Sequence, residues 1–185
     1  MQSRQRQKII FGLIGSIGVV LTLAVLILYS KEYWFLKYHS NRYGFSVRYP
    51  AQWSLTENKD GAAVIFSSPM ATKLDTFSEN VNIVVQDISS RPMDLQKYTQ
   101  TAIHQMQVVF EQNLEIVESS PAMLAGLPAH KFVFIGKGPD TELQFMSVWT
   151  LDDLTAYQVT YTAPSSGYAQ HLVKAQGIIN SFSLK

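Results

Sequence analysis

The sequence contains no cysteine, and this absence removes several kinds of site at once. Without a thiol the chain can form no disulfide, no thiolate metal site and no lipid-modified cysteine anchor. The segment GKGP at residues 136–139 also lacks the strand-loop-helix context and the downstream Ser or Thr of a phosphate-binding loop. We therefore expect neither thiol chemistry nor a nucleotide site of that kind.

Excess positive charge is missing from most of the chain. After residue 30 there are 12 basic and 14 acidic residues, which gives a formal net charge of −2. Such a balance creates no field that attracts nucleic acid, so no nucleic-acid partner is expected. The only dense basic cluster is Arg4, Arg6 and Lys8, whose simplest role is to fix topology and to contact anionic lipid headgroups.

The sequence also contains no residues at the spacing of a catalytic or metal-binding motif. The four histidines, His39, His104, His130 and His171, are scattered without ligand spacing. We expect His104 and His171 to be exposed, because both fall off the apolar stripes of their predicted helices. The chain is therefore predicted not to be an enzyme, with no catalytic, cofactor-binding or metal-binding residue and no cofactor.

Other polar residues have structural explanations. Asp152 and Asp153 are interpreted as turn formers in a tight hairpin. Ser165 and Ser166 are expected to cap a helix rather than to act as nucleophiles. Asp75 with Glu79 would accept a cation only if other oxygens converged there.

What the sequence does contain is one long apolar run. Residues 9–29 carry no charge over 21 residues, and a helix of that length spans roughly 30 Å of hydrocarbon. We expect an uncleaved transmembrane anchor rather than a cleaved signal peptide, whose apolar region is usually about 7 to 15 residues. The basic tail at residues 1–8 predicts a cytoplasmic N-terminus and a C-terminal domain that is periplasmic, extracellular or thylakoid-lumenal.

Aromatic residues cluster where this anchor would leave the bilayer. Tyr29, Tyr33, Trp34, Phe35 and Tyr38 lie in or next to a predicted juxtamembrane linker, residues 30–42. One interpretation is an interfacial belt in the headgroup zone. The other is a docking collar for a second membrane protein, since large apolar surfaces are usual at interfaces.

The pattern after residue 43 predicts one folded domain, residues 43–185. Alternation predicts strands at residues 43–50, 62–67, 80–87, 115–118 and 129–136, and a hairpin around Asp152 and Asp153. Apolar residues at helical spacing predict a helix from an Asp94 N-cap to Phe110, and a second from Tyr168 to Phe182. The expected fold class is α+β, an antiparallel sheet flanked by helices that shield its faces, preceded by a single transmembrane helix.

Three short stretches in order, GFSVRYPAQW, LAGLPAHKFVF and IINSF, give this domain a family resemblance. Their order and spacing resemble the PsbP family over about residues 38–185. The resemblance implies that the sheet and helices form an α-β-α sandwich. We expect the matching residues to be architectural, as a strand start, a proline stop, a tryptophan plug, a turn and a helix end. These fold-motif residues are Gly44, Phe45, Tyr49, Pro50, Trp53, Gly126, Pro128, Ala129, Ser181 and Phe182.

The resemblance implies an accessory protein rather than a catalyst. PsbP-like domains include extrinsic lumenal proteins of photosystem II and related bacterial envelope proteins. We therefore expect a non-catalytic, membrane-anchored accessory subunit, in contact with the lipid bilayer, that binds and stabilises or helps assemble an integral membrane protein complex, photosynthetic or respiratory. The alternative is a free-standing envelope protein that binds a small ligand or a metal ion.

Overall fold

The computed structural model describes residues 34–70, 77–138 and 141–185, and Leu36–Lys185 form one compact unit. The elements in chain order are β1 (Phe35–Ser40), β2 (Phe45–Pro50), β3 (Ser54–Lys59), β4 (Ala62–Ser67), β5 (Asn80–Asp87), α1 (Leu95–Phe110), a 3₁₀ turn (Glu111–Asn113), β6 (Leu114–Leu124), β7 (Leu127–Lys137), β8 (Glu142–Asp152), β9 (Thr155–Pro164), α2 (Tyr168–Asn180) and β10 (Ser183–Leu184).

The strands form two sheets. The larger has seven strands in the order β3-β4-β5-β9-β8-β7-β6, and every neighbouring pair is antiparallel. Consecutive hairpins build both halves of this sheet. Strand β9 joins the halves by pairing with β5 over the whole length of β5. The smaller sheet has the order β1-β2-β10 and brings the beginning and the end of the domain together.

Each face of the large sheet carries its own apolar core, because successive side chains of a strand point to opposite faces. On one face, Phe132, Phe134 and Trp149 pack with Tyr98 and Ala102 of α1. On the other, residues from the sheet pack with α2 and with the small sheet. That second core includes Phe45, Phe66, Val159, Tyr161, Ile178 and Phe182.

The predicted α-β-α sandwich behind a transmembrane helix is wrong. Strands hold 53% of the described residues and helices 22%, because β6 to β9 are hairpin strands of 10 or 11 residues. A second, small sheet also shares one face with α2. Within the described ranges, no helix is long and apolar enough to cross a membrane. Residues 9–29, on which that helix was predicted, lie outside the described residues.

Several individual elements agree with their predictions. Strands β4 and β5 have the predicted bounds, and α1 runs from Leu95 to Phe110. The Asp94 side chain accepts a hydrogen bond from the Lys97 backbone N–H at 2.7 Å, which confirms the predicted N-cap. Residues 35–40, assigned to a linker from the sequence, form strand β1. The boundaries of the basic tail and the apolar segment stay predictions.

The contact between Phe110 and Gly136 joins the end of α1 to the sheet. A Cβ atom added at Gly136 would lie 2.2 Å from Phe110 Cε1, so only glycine leaves room for the ring. The ring also packs against Phe134 and Phe145, with centroids 5.7 and 5.8 Å away. Gly136 therefore lets the last turn of α1 lie close to β7.

Replacing Gly136 by Ala should lower the free energy of unfolding by about 1–3 kcal/mol, because the new methyl group displaces the Phe110 ring. Shrinking that ring should relieve the clash. The double variant Gly136→Ala, Phe110→Leu should therefore be more stable than the sum of the two single changes predicts. Urea unfolding of the four proteins measures this coupling, and strictly additive changes would contradict the proposed contact.

Two buried tryptophans give a second prediction. Trp53 and Trp149 are 3% and 0% exposed, and they belong to the cores on opposite faces of the sheet. Replacing either by Ala should lower the free energy of unfolding by about 3–5 kcal/mol. Trp34, which is 61% exposed, is the matched control and should change it by less than about 0.5 kcal/mol on the same substitution. Equal unfolding midpoints for all three variants would contradict this assignment.

Candidate functional site

Most of the fold-motif residues meet around strand β2. Gly44 has a φ of +67° just before this strand, Phe45 is fully buried, and Tyr49 stacks on Phe66 with ring centroids 4.7 Å apart. Pro50 ends the strand, and its carbonyl accepts a hydrogen bond from the Trp53 backbone N–H at 2.9 Å. Through these contacts the motif residues around β2 pack and hydrogen-bond within the domain.

The end of the chain completes this cluster. Phe182 packs on Phe45 with ring centroids 5.3 Å apart. The Ser181 hydroxyl oxygen accepts a hydrogen bond from the Arg48 backbone N–H at 2.8 Å. Residues more than 130 positions apart in sequence are thereby joined.

The remaining motif residues lie in a separate hairpin. Ala125 and Gly126 have φ values of +53° and +79°, a turn that favours glycine, and Pro128 follows at the start of β7. The Pro128 carbonyl accepts a hydrogen bond from the Thr150 hydroxyl at 2.7 Å, and Ala129 is buried.

The predicted aromatic collar is described only in part. Tyr29 and Tyr33 lie outside the described residues. Trp34 and Phe35 are 61% and 36% exposed. Tyr38 differs, because its ring packs on Phe45 and Phe66 and its hydroxyl donates a 2.5 Å hydrogen bond to Glu57.

One buried polar cluster contains His171, which the sequence analysis expected to be exposed. That expectation is wrong, because the His171 side chain is only 12% exposed and its Nε2 lies 3.5 Å from a Glu79 carboxylate oxygen. The ring also meets the Trp53 ring edge to face, with centroids 5.9 Å apart. Elements distant in sequence bury this histidine, so its position on α2 alone could not reveal its environment.

The Glu79 cluster does not have the geometry of a catalytic triad. The Ser68 hydroxyl donates to Glu79 at 2.6 Å, so the carboxylate stands between the hydroxyl and the imidazole. A hydrolytic triad instead needs the imidazole next to the nucleophile. Across the described residues, no three His, Cys, Asp or Glu side chains gather as a metal site. Asp75 lies outside the described residues, so its predicted pairing with Glu79 stays untested.

The structure also tests the roles predicted for two aspartates and two serines. Asp152 and Asp153 lie at the hairpin between β8 and β9, as predicted, and Asp153 has a φ of +49°. The predicted capping by Ser165 or Ser166 is wrong. Gly167 is the N-cap of α2, without a side-chain hydrogen bond.

A site-like feature that the sequence did not predict is a groove beside helix α1. This helix groove has a volume of about 340 Å³. Its polar floor comes from three strands of the sheet: Asn82, Gln86, Ser147, Gln158, Thr160 and Thr162. Its apolar wall is formed mainly by Tyr98, Met106, Val109, Phe110, Phe134 and Phe145.

The floor residues share one face because of strand register. Asn82 pairs with Thr160 across β5 and β9, and Ser147 pairs with Thr160 across β8 and β9. The Ser147 and Thr160 hydroxyls lie 2.8 Å apart, and Gln158 Nε2 donates to Thr160 at 3.2 Å. The floor is therefore an ordered layer of neutral polar groups.

A neighbouring hollow shares Gln86 and Gln105 with the helix groove. Charged side chains appear there, as Asp87 and Arg91 line it. The Asp87 carboxylate accepts a hydrogen bond from the Ser89 backbone N–H, and its contacts with Ser89 lower its pKa. In the part of the chain that the structure describes, no charged residue lines the helix groove itself.

This architecture and its motif are those of a known family. The chain belongs to the family of PsbP-like proteins, whose family model matches residues 30–184. The resemblance inferred from the motif residues is thereby confirmed. No curated protein sequence matches the chain.

Solved structures share the fold at low sequence identity. Cyanobacterial PsbP (CyanoP) from Synechocystis sp. PCC 6803 is 13% identical, with a TM-score of 0.61 over 82% of this chain and 92% of that one. LpqN, involved in cell envelope biogenesis of Mycobacterium tuberculosis, is 13% identical, with a TM-score of 0.59 over 82% and 91%. The Ran-binding protein Mog1p of Saccharomyces cerevisiae is 9% identical, with a TM-score of 0.56 over 81% and 95%.

Partly buried tyrosines should make the domain sensitive to alkaline pH. Burial and the neighbouring Glu57 raise the pKa of Tyr38 to about 12, from the ordinary value of 10.0. Burial also raises the pKa of Tyr168 to about 12. The folded state thus favours the protonated phenols, and their contribution to stability is complete below pH 10 and is lost as the pH rises toward 12.

The free energy of unfolding should therefore fall between pH 10 and 12. In the Tyr38→Phe variant it should fall less steeply, because phenylalanine has no proton to lose. Urea unfolding of both proteins across this range measures the two slopes, and a comparison at pH 8 isolates the loss of the hydrogen bond to Glu57. Equal slopes above pH 10 would show that Tyr38 ionises as freely in the folded chain as in the unfolded one.

Proposed function

We propose that this chain is a non-catalytic accessory protein that binds a larger membrane protein complex and supports its assembly or stability. Membership of the PsbP-like family supports a binding role. Among proteins of the same fold, Mog1p is named for binding Ran and LpqN for a part in cell envelope biogenesis. Neither name describes a catalysed reaction.

The observation that carries the proposal is an exposed apolar segment before β1 and at its start. Trp34, Phe35 and Leu36 are consecutive and are 61%, 36% and 48% exposed. Scattered exposed apolar side chains are normal, but a run of large ones marks an interaction surface. Aromatic residues are also enriched in the buried cores of protein interfaces. This segment is therefore the proposed contact with the partner.

Sequence features support a membrane location for this contact. The charge-free residues 9–29 precede the exposed segment, and a basic tail precedes them. The proposed orientation has the N-terminus in the cytoplasm and the domain in the periplasm, outside the cell or in the thylakoid lumen. Confinement to a membrane raises the effective concentration of the domain near its partner, so that a weak contact suffices.

In the alternative, the chain is a free-standing envelope protein that binds a small ligand or a metal ion. The helix groove favours the small-ligand form of this alternative, since it combines an apolar wall with converging polar groups. Both roles can coexist, because the exposed segment and the helix groove use different residues.

The proposal predicts that the exposed aromatic residues contribute to association. The double variant Trp34→Ser, Phe35→Ser of the full chain should recover about fivefold less partner in quantitative pull-downs from gently solubilised membranes, as expected for the loss of an interface anchor. Val173→Ser is the control, since Val173 is 77% exposed on α2 and is not part of the segment.

Two results would contradict the proposal. The full chain would migrate alone in mild detergent, without a stoichiometric partner. Alternatively, the double variant would recover as much partner as the parent and the Val173→Ser control.

A further inference from the structure

We propose that the helix groove binds a neutral, hydroxyl-rich ligand with an apolar face, the chemistry of a sugar ring. The groove lies where α1 stops covering the sheet, and strands β5, β8 and β9 provide its floor. This inference does not depend on the proposed accessory role, because it uses none of the residues assigned to the partner contact.

The absence of charge in the lining selects against ionic ligands. Among the described residues that line the groove, none is Asp, Glu, Lys, Arg or His. An ion that entered would lose water without gaining an opposite charge, which costs free energy unless the ion is paired. Phosphorylated, carboxylated and amine ligands are therefore disfavoured.

The floor matches hydroxyl groups, which both donate and accept hydrogen bonds. The side-chain amides of Asn82, Gln86 and Gln158 each offer two N–H donors and a carbonyl acceptor. Gln158 uses its Nε2 toward Thr160 and Ser147, at 3.2 and 3.5 Å, which leaves part of its capacity for a ligand. The Gln86 side-chain carbonyl accepts a long 3.4 Å hydrogen bond from the Tyr98 hydroxyl.

The apolar wall of the helix groove is complementary to the apolar face of a sugar ring. Phe134 and Phe145 stack with centroids 4.6 Å apart, so neighbouring contacts fix both rings in place. Met106 and Phe110 continue this wall, and Val109 at the rim is 73% exposed. A site with an apolar wall on one side and amides on the other favours a ligand that has both kinds of surface.

The helix groove also has a suitable size. Its volume of about 340 Å³ lies near the lower end of the range for small-molecule sites, which is roughly 300 to 1,000 Å³. We therefore expect one or two sugar units in the groove. A longer chain would have to continue into the hollow that contains Asp87 and Arg91.

The test uses the full chain in a zwitterionic detergent, because detergents with sugar headgroups would compete. The probes are maltose and N,N′-diacetylchitobiose, with glucose 6-phosphate and glucosamine as charged counterparts. The side-chain amide signals of Asn82, Gln86 and Gln158 are followed by NMR. Saturable shifts with a dissociation constant in about the millimolar range or tighter are expected for at least one neutral disaccharide.

Matched variants connect this binding to the groove. Asn82→Leu and Gln158→Met keep the approximate side-chain size but remove hydrogen bonds, and each should weaken binding about three- to tenfold. Gln107→Met is the control, since Gln107 is exposed on α1 but does not line the groove. Val109→Asp adds a charge at the exposed rim without touching the floor, and it should also weaken binding.

Four results would overturn the proposal. Neither neutral disaccharide shifts these amide signals up to 20 mM. A charged counterpart binds the groove more tightly than the neutral sugars. The peptide acetyl-trialanine amide binds there while the sugars do not. Finally, all three groove variants bind like the parent and the control.

Discussion

One α-helix is too narrow to cover a seven-stranded sheet. Strands lie about 4.8 Å apart and a helix is about 10 Å wide, so α1 shields only part of a surface about 29 Å across. The face that meets α1 is consequently apolar under the helix, at Phe132 and Trp149, and polar beyond it, at Asn82 and Gln158. The opposite face is covered by α2 and the small sheet together, and its core is larger. The helix groove lies at the boundary between the part of this sheet face that α1 covers and the part that it leaves open.

The sequence patterns correctly predicted strands in which buried side chains alternate with less buried ones. Strands β4 and β5 were bounded correctly because buried residues such as Val64, Val81 and Ile83 alternate with less buried ones. Strand β3 was missed because it is a polar edge strand whose pattern shows no buried residue. Most of β6 was missed because Pro121 and several small residues interrupt it, although it pairs along β7. These missed strands, together with β1 and β10, add sheet that the predicted α-β-α sandwich did not include.

The candidate site also has a part that the sequence predicted and a part that it did not. The fold-motif residues could be recognised because their order in sequence reflects local geometry, such as the left-handed turn at Gly126 and the strand end at Pro50. The helix groove could not be recognised. Its floor consists of ordinary Asn, Gln, Ser and Thr residues from three strands, and only the register of β5, β8 and β9 brings them together. The burial of His171 escaped prediction for the same reason, since Trp53 and Glu79 come from distant segments.

The pairing of β10 with β2 has a consequence for biosynthesis. Ser183 and Leu184 pair with Ser46 and Phe45, and the Ser181 hydroxyl bonds the backbone at Arg48. When β2 leaves the ribosome, its partner β1 has been made but its other partner, β10, has not. Phe45 and Val47 are both buried in the finished domain. They therefore lack their contacts with the C-terminal segment until more than 130 further residues have been synthesised. Contacts this distant in sequence slow folding, so β2 lacks its C-terminal partners for most of translation. A chaperone that shields this strand would act during that interval.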